Sequence, residues 1–148
     1  MTHILISFTT RPGHGSEGGV GWEFARAAAA LGATRNAQID LVLDARDVDS
    51  VAEQLDNLEL SAAVHLHPIA RPRWAARRYA ESRSRGSYLS WLGAARRLVR
   101  QLESHSTSIH QVTFATASLP SALPAKTSAR RIWGPINLPW ATAYAFHQ

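Results

Sequence analysis

The chain has 148 residues, of which 45% are hydrophobic and 18% charged, and its formal net charge at pH 7 is +5. This length predicts one domain with a buried core, and this composition excludes an intrinsically disordered chain. The absence of cysteine excludes disulfide frameworks and thiolate metal sites. We expect a soluble, cytoplasmic protein, because the chain has neither a signal-peptide pattern nor an apolar run near the roughly 20 residues of a membrane span.

The N-terminal third predicts a strand, a helix and a second strand. Residues 3–9 form an apolar, β-branched run that ends at a polar stretch with a proline. Apolar residues then recur at helical spacing over residues 20–31, with Ser16 as the expected N-cap and Gly32 as the glycine that ends the helix. The second strand covers Ile39–Asp44.

The remaining elements continue the alternation of strand and helix. A helix over Val48–Leu58 precedes a third strand, Ala62–His67, which we expect Pro68 to end. A basic helical region follows, with a break near Ser82–Ser87, and the last strands cover Ile109–Thr116 and Arg131–Trp133. This alternation predicts an α/β fold, a three-layer Rossmann-like parallel sheet with helices on both faces.

Five of the nine glycines fall between Gly13 and Gly21, where the first strand passes into the first helix. Such density is entropically costly, and it is typical of a loop whose backbone N–H groups approach a phosphate or sugar at a helix N-terminus. The spacing Gly13-x-Gly15-x-x-Gly18, with Asp44 later at the end of a strand, also matches a dinucleotide fingerprint, although residues 10–12 separate it from the strand. The third interpretation is a glycine-rich turn that only packs against the rest of the protein and binds no ligand.

Four ordered stretches carry a resemblance to a known family. They are residues 12–23 (PGHGSEGGVGWE), 110–115 (HQVTFA), 118–124 (SLPSALP) and 132–135 (IWGP). Together they resemble the N-terminal, acceptor-side half of GT-B-fold glycosyltransferases of the family 4, retaining type. The resemblance covers most of the chain, but only half of such an enzyme.

The resemblance implies an active site in a cleft between two Rossmann-like halves, with a nucleotide sugar as co-substrate and no other cofactor. The glycine loop would approach the donor phosphate and the transferred sugar, and His110 would contact that sugar as the catalytic residue. The acceptor would be a sugar or a lipid-linked sugar. The residues that match the loop and the cleft rim are Gly15, Ser16, Glu17, Gly18, Gly19, Gln111, Thr113, Gly134 and Pro135.

The donor-binding half of the family has no counterpart in these residues. That half carries two glutamates separated by seven residues, and no two glutamates here have that spacing. The glycine pair that follows Trp-Gly-Pro in the family is replaced by residues 136–139. We therefore expect residues 1–148 to be a single acceptor-side domain, truncated or split from a donor-binding partner chain. The alternative is a non-enzymatic nucleotide- or dinucleotide-binding Rossmann module.

The segment from Arg71 to Arg100 contains nine arginines and one acid, Glu81. This segment has two interpretations. It is a solvated helix face, or it docks onto anionic lipid at the inner membrane face through Arg96, Arg97 and Arg100. We expect no nucleic-acid partner, because no recognition motif accompanies the charge. His65 and His67 alternate on one strand face, but we expect no metal there, because the sequence offers no nearby acid or cysteine ligand.

Overall fold

A computed structural model describes residues 1–116 and 118–135, which form a sheet of five parallel strands. The strands are β1 (Thr2–Ser7), β2 (Gln38–Asp44), β3 (Val64–Ile69), β4 (Ser108–Gln111) and β5 (Arg130–Trp133). Their order across the sheet is β3-β2-β1-β4-β5, so the chain reverses direction across the sheet after β3. The predicted α/β fold with a Rossmann-like parallel sheet is confirmed.

The described residues also contain four α-helices. They are α1 (Ser16–Arg35), α2 (Val48–Asn57), α3 (Arg73–Tyr79) and α4 (Arg85–Leu102). Helices α1 and α2 pack on one face, and α4 packs on the other. None of the helices in the described residues is long and apolar enough to span a bilayer.

Side chains alternate between the two faces of the central strands, and this alternation divides the core into two layers. In β1, Leu5 packs under α1 with Trp22, whereas Ile4 and Ile6 pack under α4. The α4 layer is centred on Trp91, which is fully buried. Because successive strand residues point to opposite faces, continuous apolar runs such as Ile4–Ile6 require helices on both sides.

Several element boundaries differ from the expected ones. Strand β1 ends at Ser7 rather than at residue 9, and β3 begins at Val64 rather than at Ala62. Helix α1 continues past Gly32 to Arg35, because Gly32 packs against the carbonyl of Ala37 and Asn36 supplies the left-handed C-cap instead. Strand β3 runs through Pro68 to Ile69, which its position at the sheet edge permits. Strand β4 ends at Gln111 rather than Thr116.

The early end of β4 follows from its backbone. Val112 still donates to the carbonyl of Ile6, but Phe114 takes a left-handed conformation with φ of 55°, which turns the chain out of the sheet. The expected strand therefore becomes a loop at the carboxyl edge of the sheet. The 136–139 stretch, which replaces the family's glycine pair, lies outside the described residues.

Candidate functional site

The carboxyl ends of all five strands meet along one rim of the sheet, where open α/β sheets bind ligands. The glycine loop, which comprises residues 8–15 after β1 together with residues 16–19 in the first turn of α1, lies at this rim. The loops after β4 and β5 bring residues 112–116 and 134–135 to the same edge. The rim is therefore the place where most of the predicted site residues come together.

The glycine loop is closed by its own backbone. Arg11 donates its N–H to the carbonyl of Gly18 at 2.9 Å, and a Cβ on Gly19 would collide with the carbonyl of His14. Gly15 is the N-cap of α1, so Ser16 begins the helix rather than capping it as expected, and no side chain caps this end. Ser16 is exposed, so this end of α1 faces solvent.

Two contacts join this loop to the segment after β4. Glu17 accepts a hydrogen bond from the backbone N–H of Phe114 at 3.1 Å. Thr113 Oγ1 accepts from the N–H of Thr9 at 3.4 Å. A Cβ on Gly21 would collide with the carbonyl of Thr9 and with the hydroxyl of Ser7, so α1 can approach the end of β1 this closely only with glycine there. Glu17 Oε1 is thus engaged by the segment after β4, and the residue also lines the smaller of two depressions at the loop.

The glycine loop borders two depressions. One, of about 430 Å³, is lined by loop residues together with Trp22 and Phe24 of α1. The other, of about 230 Å³, is lined by loop residues together with Arg11 and Arg83. Both include residues 14–16, so a ligand on either side would lie against the first residues of α1.

A buried network of aspartates and arginines supports the rim beside the second depression. Arg46 forms a bidentate pair with Asp44, with distances of 2.8 and 2.9 Å, and Arg71 Nε lies 3.6 Å from the same carboxylate. Arg83 pairs with Asp47, which also accepts from the N–H of Thr10 at 3.0 Å. Burial and the neighbouring charge of Arg46 lower the pKa of Arg71, and the charge of Asp44 opposes that shift.

His110 lies on the opposite face of β4 from this network. Its Nε2 donates to the carbonyl of Gly134 at 2.7 Å, and Phe24 packs its ring edge-to-face against the imidazole. Burial lowers the pKa of His110, with the bond to Gly134 acting in the opposite direction. The neutral imidazole is therefore favoured near pH 7.

The predicted catalytic residue and the predicted phosphate loop line different cavities. His110 borders an apolar cavity of about 520 Å³ between the C-terminal half of α1 and strands β1, β2, β4 and β5, with Leu31 and Ile132 among its lining residues. Neither depression at the glycine loop includes His110. Phe24 is the link between them, because it lines the larger loop depression and touches His110.

The remaining rim residues hold the loops together. Gln111 is buried, where its amide donates to the Tyr88 hydroxyl at 3.1 Å and its Oε1 accepts from the N–H of Ala122 at 2.7 Å. Gly134 donates its N–H to the carbonyl of Gln111 at 3.0 Å, and Pro135 follows it, exposed at the rim. Gln111 is therefore placed as a structural residue of the loop after β4.

Two predicted surface features have different environments. Arg97 and Arg100 are exposed on α4, whereas Arg96 is tied to the carbonyl of Ser121 through two nitrogens, at 2.9 and 2.7 Å. His67 Nε2 lies 2.8 Å from Asp40, so the expectation of no nearby acid was wrong. Even so, no group of three His, Cys, Asp or Glu side chains within the described ranges is arranged to hold a metal ion.

Sequence reasoning missed the roles of Asp47 and Arg83. The sequence places them 36 residues apart, in a helix-start region and a helix break, and neither lies in a motif. The only available signal was that two acids, Asp44 and Asp47, follow a predicted buried strand at the ligand-binding edge.

The chain matches no known protein-family model, no curated protein and no solved structure. The resemblance to family 4-like glycosyltransferases therefore stays a prediction from its four stretches.

Proposed function

We propose that the chain is the acceptor-side domain of a nucleotide-sugar-dependent retaining glycosyltransferase, whose donor-binding half lies outside these 148 residues. The observation that supports this most is the set of contacts between the four resembling stretches. Glu17 of the first bonds Phe114 of the second at 3.1 Å, and His110 of the second bonds Gly134 of the fourth at 2.7 Å. The third stretch joins them through Ala122, which donates to Gln111.

These contacts give the glycine loop a fixed position beside a polar rim. Glycosyl transfer needs stabilisation of an oxocarbenium-like sugar and of the departing diphosphate, which preorganised backbone N–H groups and cations supply. On this proposal, the exposed start of α1 at Gly15 and Ser16 faces the diphosphate, and the sugar extends toward Phe24 and His110. Because its Nε2–H donates to Gly134, a neutral His110 offers Nδ1 as an acceptor there without repelling a cationic sugar.

The alternative, a dinucleotide-binding module, is less well supported. In such modules an acid at the end of the second strand binds the ribose hydroxyl, and Asp44 is the matching residue. Asp44 is only 1% exposed, and Arg46 and Arg71 occupy its oxygens. In addition, eight residues separate β1 from α1, whereas a dinucleotide fingerprint follows its strand at once.

The test is reconstitution with a donor-binding half. The chain is mixed with a separately expressed donor-binding half of a family 4-like enzyme, and release of nucleoside diphosphate from UDP- and GDP-sugars is measured. We expect turnover from the mixture and none from either part. Gly19→Ala should abolish it, because a Cβ there collides with the His14 carbonyl that shapes the loop.

Two outcomes would count against the proposal. Turnover by the chain alone would contradict the need for a separate donor half. Micromolar binding of NAD in titration calorimetry, without binding of any sugar nucleotide, would favour the dinucleotide module. If circular dichroism shows that Gly19→Ala loses its fold, Gly15→Ala replaces it. A Cβ at Gly15 meets no protein atom, so this variant should keep the fold and lower turnover by obstructing the diphosphate.

We also propose that an anionic membrane surface is a partner of this domain. Arg97 and Arg100 are exposed on α4, and the exposed apolar side chains Trp74 and Leu89 lie on the same helical pair, α3 and α4. Exposed arginines attract anionic headgroups, and an exposed tryptophan is suited to the interface between headgroups and acyl chains. A lipid-linked acceptor would then be presented at the surface where the enzyme docks.

A further inference from the structure

The smaller depression beside the glycine loop contains a cationic pair that the proposed function does not use. Its lining residues include Arg11 and Arg83, and its volume is about 230 Å³. Arg11 comes from the loop after β1, and Arg83 comes from the connection between α3 and α4. Two arginines from distant parts of the sequence therefore converge on one small cavity at the ligand-binding rim.

The side chain of Arg83 is held in place by a buried carboxylate. Asp47 pairs with its Nη2, and Asp47 is itself only 3% exposed and fixed by the N–H of Thr10. An arginine held by a buried carboxylate keeps its orientation with little loss of conformational entropy when a ligand binds. The network thus preorganises a guanidinium at the cavity wall.

The guanidinium of Arg83 has unused hydrogen-bonding capacity. It carries five N–H donors. Within the described residues, Nη2 donates to Asp47 and Nη1 to the carbonyl of Glu81 at 3.4 Å, while Nε is buried and has no acceptor. The other arginines of this rim are better satisfied, since Arg46 has acceptors for Nε, Nη1 and Nη2.

Arg11 adds a second cation, and unlike Arg83 it has no paired carboxylate in the described residues. Glu17 is the acid among the cavity's described lining residues, and its Oε1 is engaged by the N–H of Phe114. Planar guanidinium groups match the bidentate geometry of phosphate and carboxylate oxygens.

We infer that this cavity is a phosphate site, in which Arg83 and Arg11 bind a phosphoryl group of the substrate. The inference deepens the proposed function, on which its assignment to a substrate rests, because it names the chemistry of a group bound at the same rim. Arg83 is then a specificity-determining residue supplied by this domain. The phosphoryl group has two sources, the diphosphate of a sugar nucleotide or a phosphate carried by the acceptor.

The test is a titration of the isotope-labelled chain with inorganic phosphate, followed by NMR at pH 7 with ionic strength held constant by chloride. We expect saturable shifts of the Gly15 and Gly18 amides and of the Arg83 Nε–H resonance. Arg83→Gln should weaken the affinity by about tenfold or more, because it removes charge-assisted hydrogen bonds. Arg85→Gln, the same charge change two residues away, should alter the affinity by less than about twofold.

Two further variants guard against loss of folding. Arg83→Lys keeps the charge beside Asp47 but loses the guanidinium fork, so it should retain the fold and still weaken phosphate binding. Arg11→Gln leaves the Asp47 network intact and should also weaken binding. Absence of saturation in the wild-type chain, or equal weakening by Arg83→Gln and Arg85→Gln, would overturn the inference.

Separate ligands identify the source of the phosphoryl group. UDP binding that depends on Arg83 indicates the donor, whereas binding of glucose 1-phosphate or glycerol phosphate that depends on Arg83 indicates a phosphorylated acceptor. Methyl glucoside, which has no phosphate, should not bind at this cavity. Because the phosphate titration needs no donor half, its failure leaves the transferase proposal standing, and failed reconstitution with intact phosphate binding rejects only the proposed function.

Discussion

The side chain of Glu17, in the first turn of α1, accepts a hydrogen bond from the backbone N–H of Phe114, 97 residues later in the chain. Phe114 is buried, so loss of the acceptor leaves its N–H unsatisfied. We expect Glu17→Ala to lower the free energy of unfolding by about 1–3 kcal/mol, and Glu17→Gln to cost less because an amide oxygen still accepts. Urea denaturation measures both.

Glu23→Ala is the matched control for this change. Glu23 lies in the same helix but pairs with Arg26 on the surface, with its side chain 58% exposed. Its loss should change the free energy of unfolding by less than about 0.5 kcal/mol. Equal costs for the variants at Glu17 and Glu23 would mean that the bond to Phe114 does not stabilise the fold.

Two helical glycines should respond to alanine in opposite directions. At Gly21 a Cβ would collide with the carbonyl of Thr9, whereas Gly93 has open space around it. Gly21→Ala should destabilise the protein by about 1–3 kcal/mol, because α1 must move away from β1. Gly93→Ala should stabilise it by about 0.5–1 kcal/mol through lower backbone entropy of the unfolded chain. Thermal unfolding measures the stability of both variants. If both substitutions change stability in the same direction, the close approach of α1 is refuted.

The carboxylate of Asp44 should matter more than any surface acid. Its removal leaves Arg71, whose side chain is 4% exposed, without its counter-ion. Asp44→Ala should cost about 3–5 kcal/mol, because a buried charge is left uncompensated. Asp56→Ala, at an exposed position of α2, should change the free energy of unfolding by less than about 0.5 kcal/mol in the same denaturation experiment.

Stability should depend on pH through His110. Burial lowers its pKa in the folded state below the ordinary value near 6.5, so the unfolded chain binds the proton more readily. The free energy of unfolding should therefore fall as the pH decreases from about 6.5 toward the lower, folded-state pKa. His110→Gln should reduce this slope in urea denaturation between pH 7.5 and 5. An NMR titration that finds the ring protonating above pH 6.5 would contradict the direction of the shift.

Binding to anionic vesicles should depend on Arg97 and Arg100. Their joint replacement by glutamine should weaken sedimentation with phosphatidylserine vesicles by roughly 30-fold, from about 1 kcal/mol for each arginine. Arg26→Gln combined with Arg35→Gln removes the same charge from α1 and should have less effect. Wild-type chain that does not sediment, or equal effects of the two double variants, would reject the membrane proposal.

The sequence predicted elements well where one local pattern dominates. The second strand and the second helix were placed within one residue of β2 and α2, because apolar periodicity and flanking acids agree there. Boundaries failed where a tertiary contact outweighed a local signal. Gly32 does not end α1, because glycine is needed there to let the carbonyl of Ala37 pack against the helix. Pro68 does not end β3, because an edge strand tolerates proline.

The candidate site was only partly predictable for the same reason. The position of the glycine loop at the carboxyl edge followed from the order of strand, loop and helix. The sequence did not indicate that Glu17 turns inward to Phe114, or that His110 borders a different cavity from the loop. Side-chain direction depends on neighbours that the chain brings together only after folding.

The amino-acid sequence by itself determined the parallel sheet with helices on both faces and the rim at which the unusual residues lie, because hydrophobic periodicity and glycine placement act over short distances. Only the tertiary structure decided which charges are neutralised and which face a cavity. Asp44 is enclosed by arginines, while Asp47 holds Arg83 at the cavity. The pairs Asp44–Arg71 and Asp47–Arg83 are 27 and 36 positions apart in the sequence. Burial and pairing of charge are properties of the packed molecule.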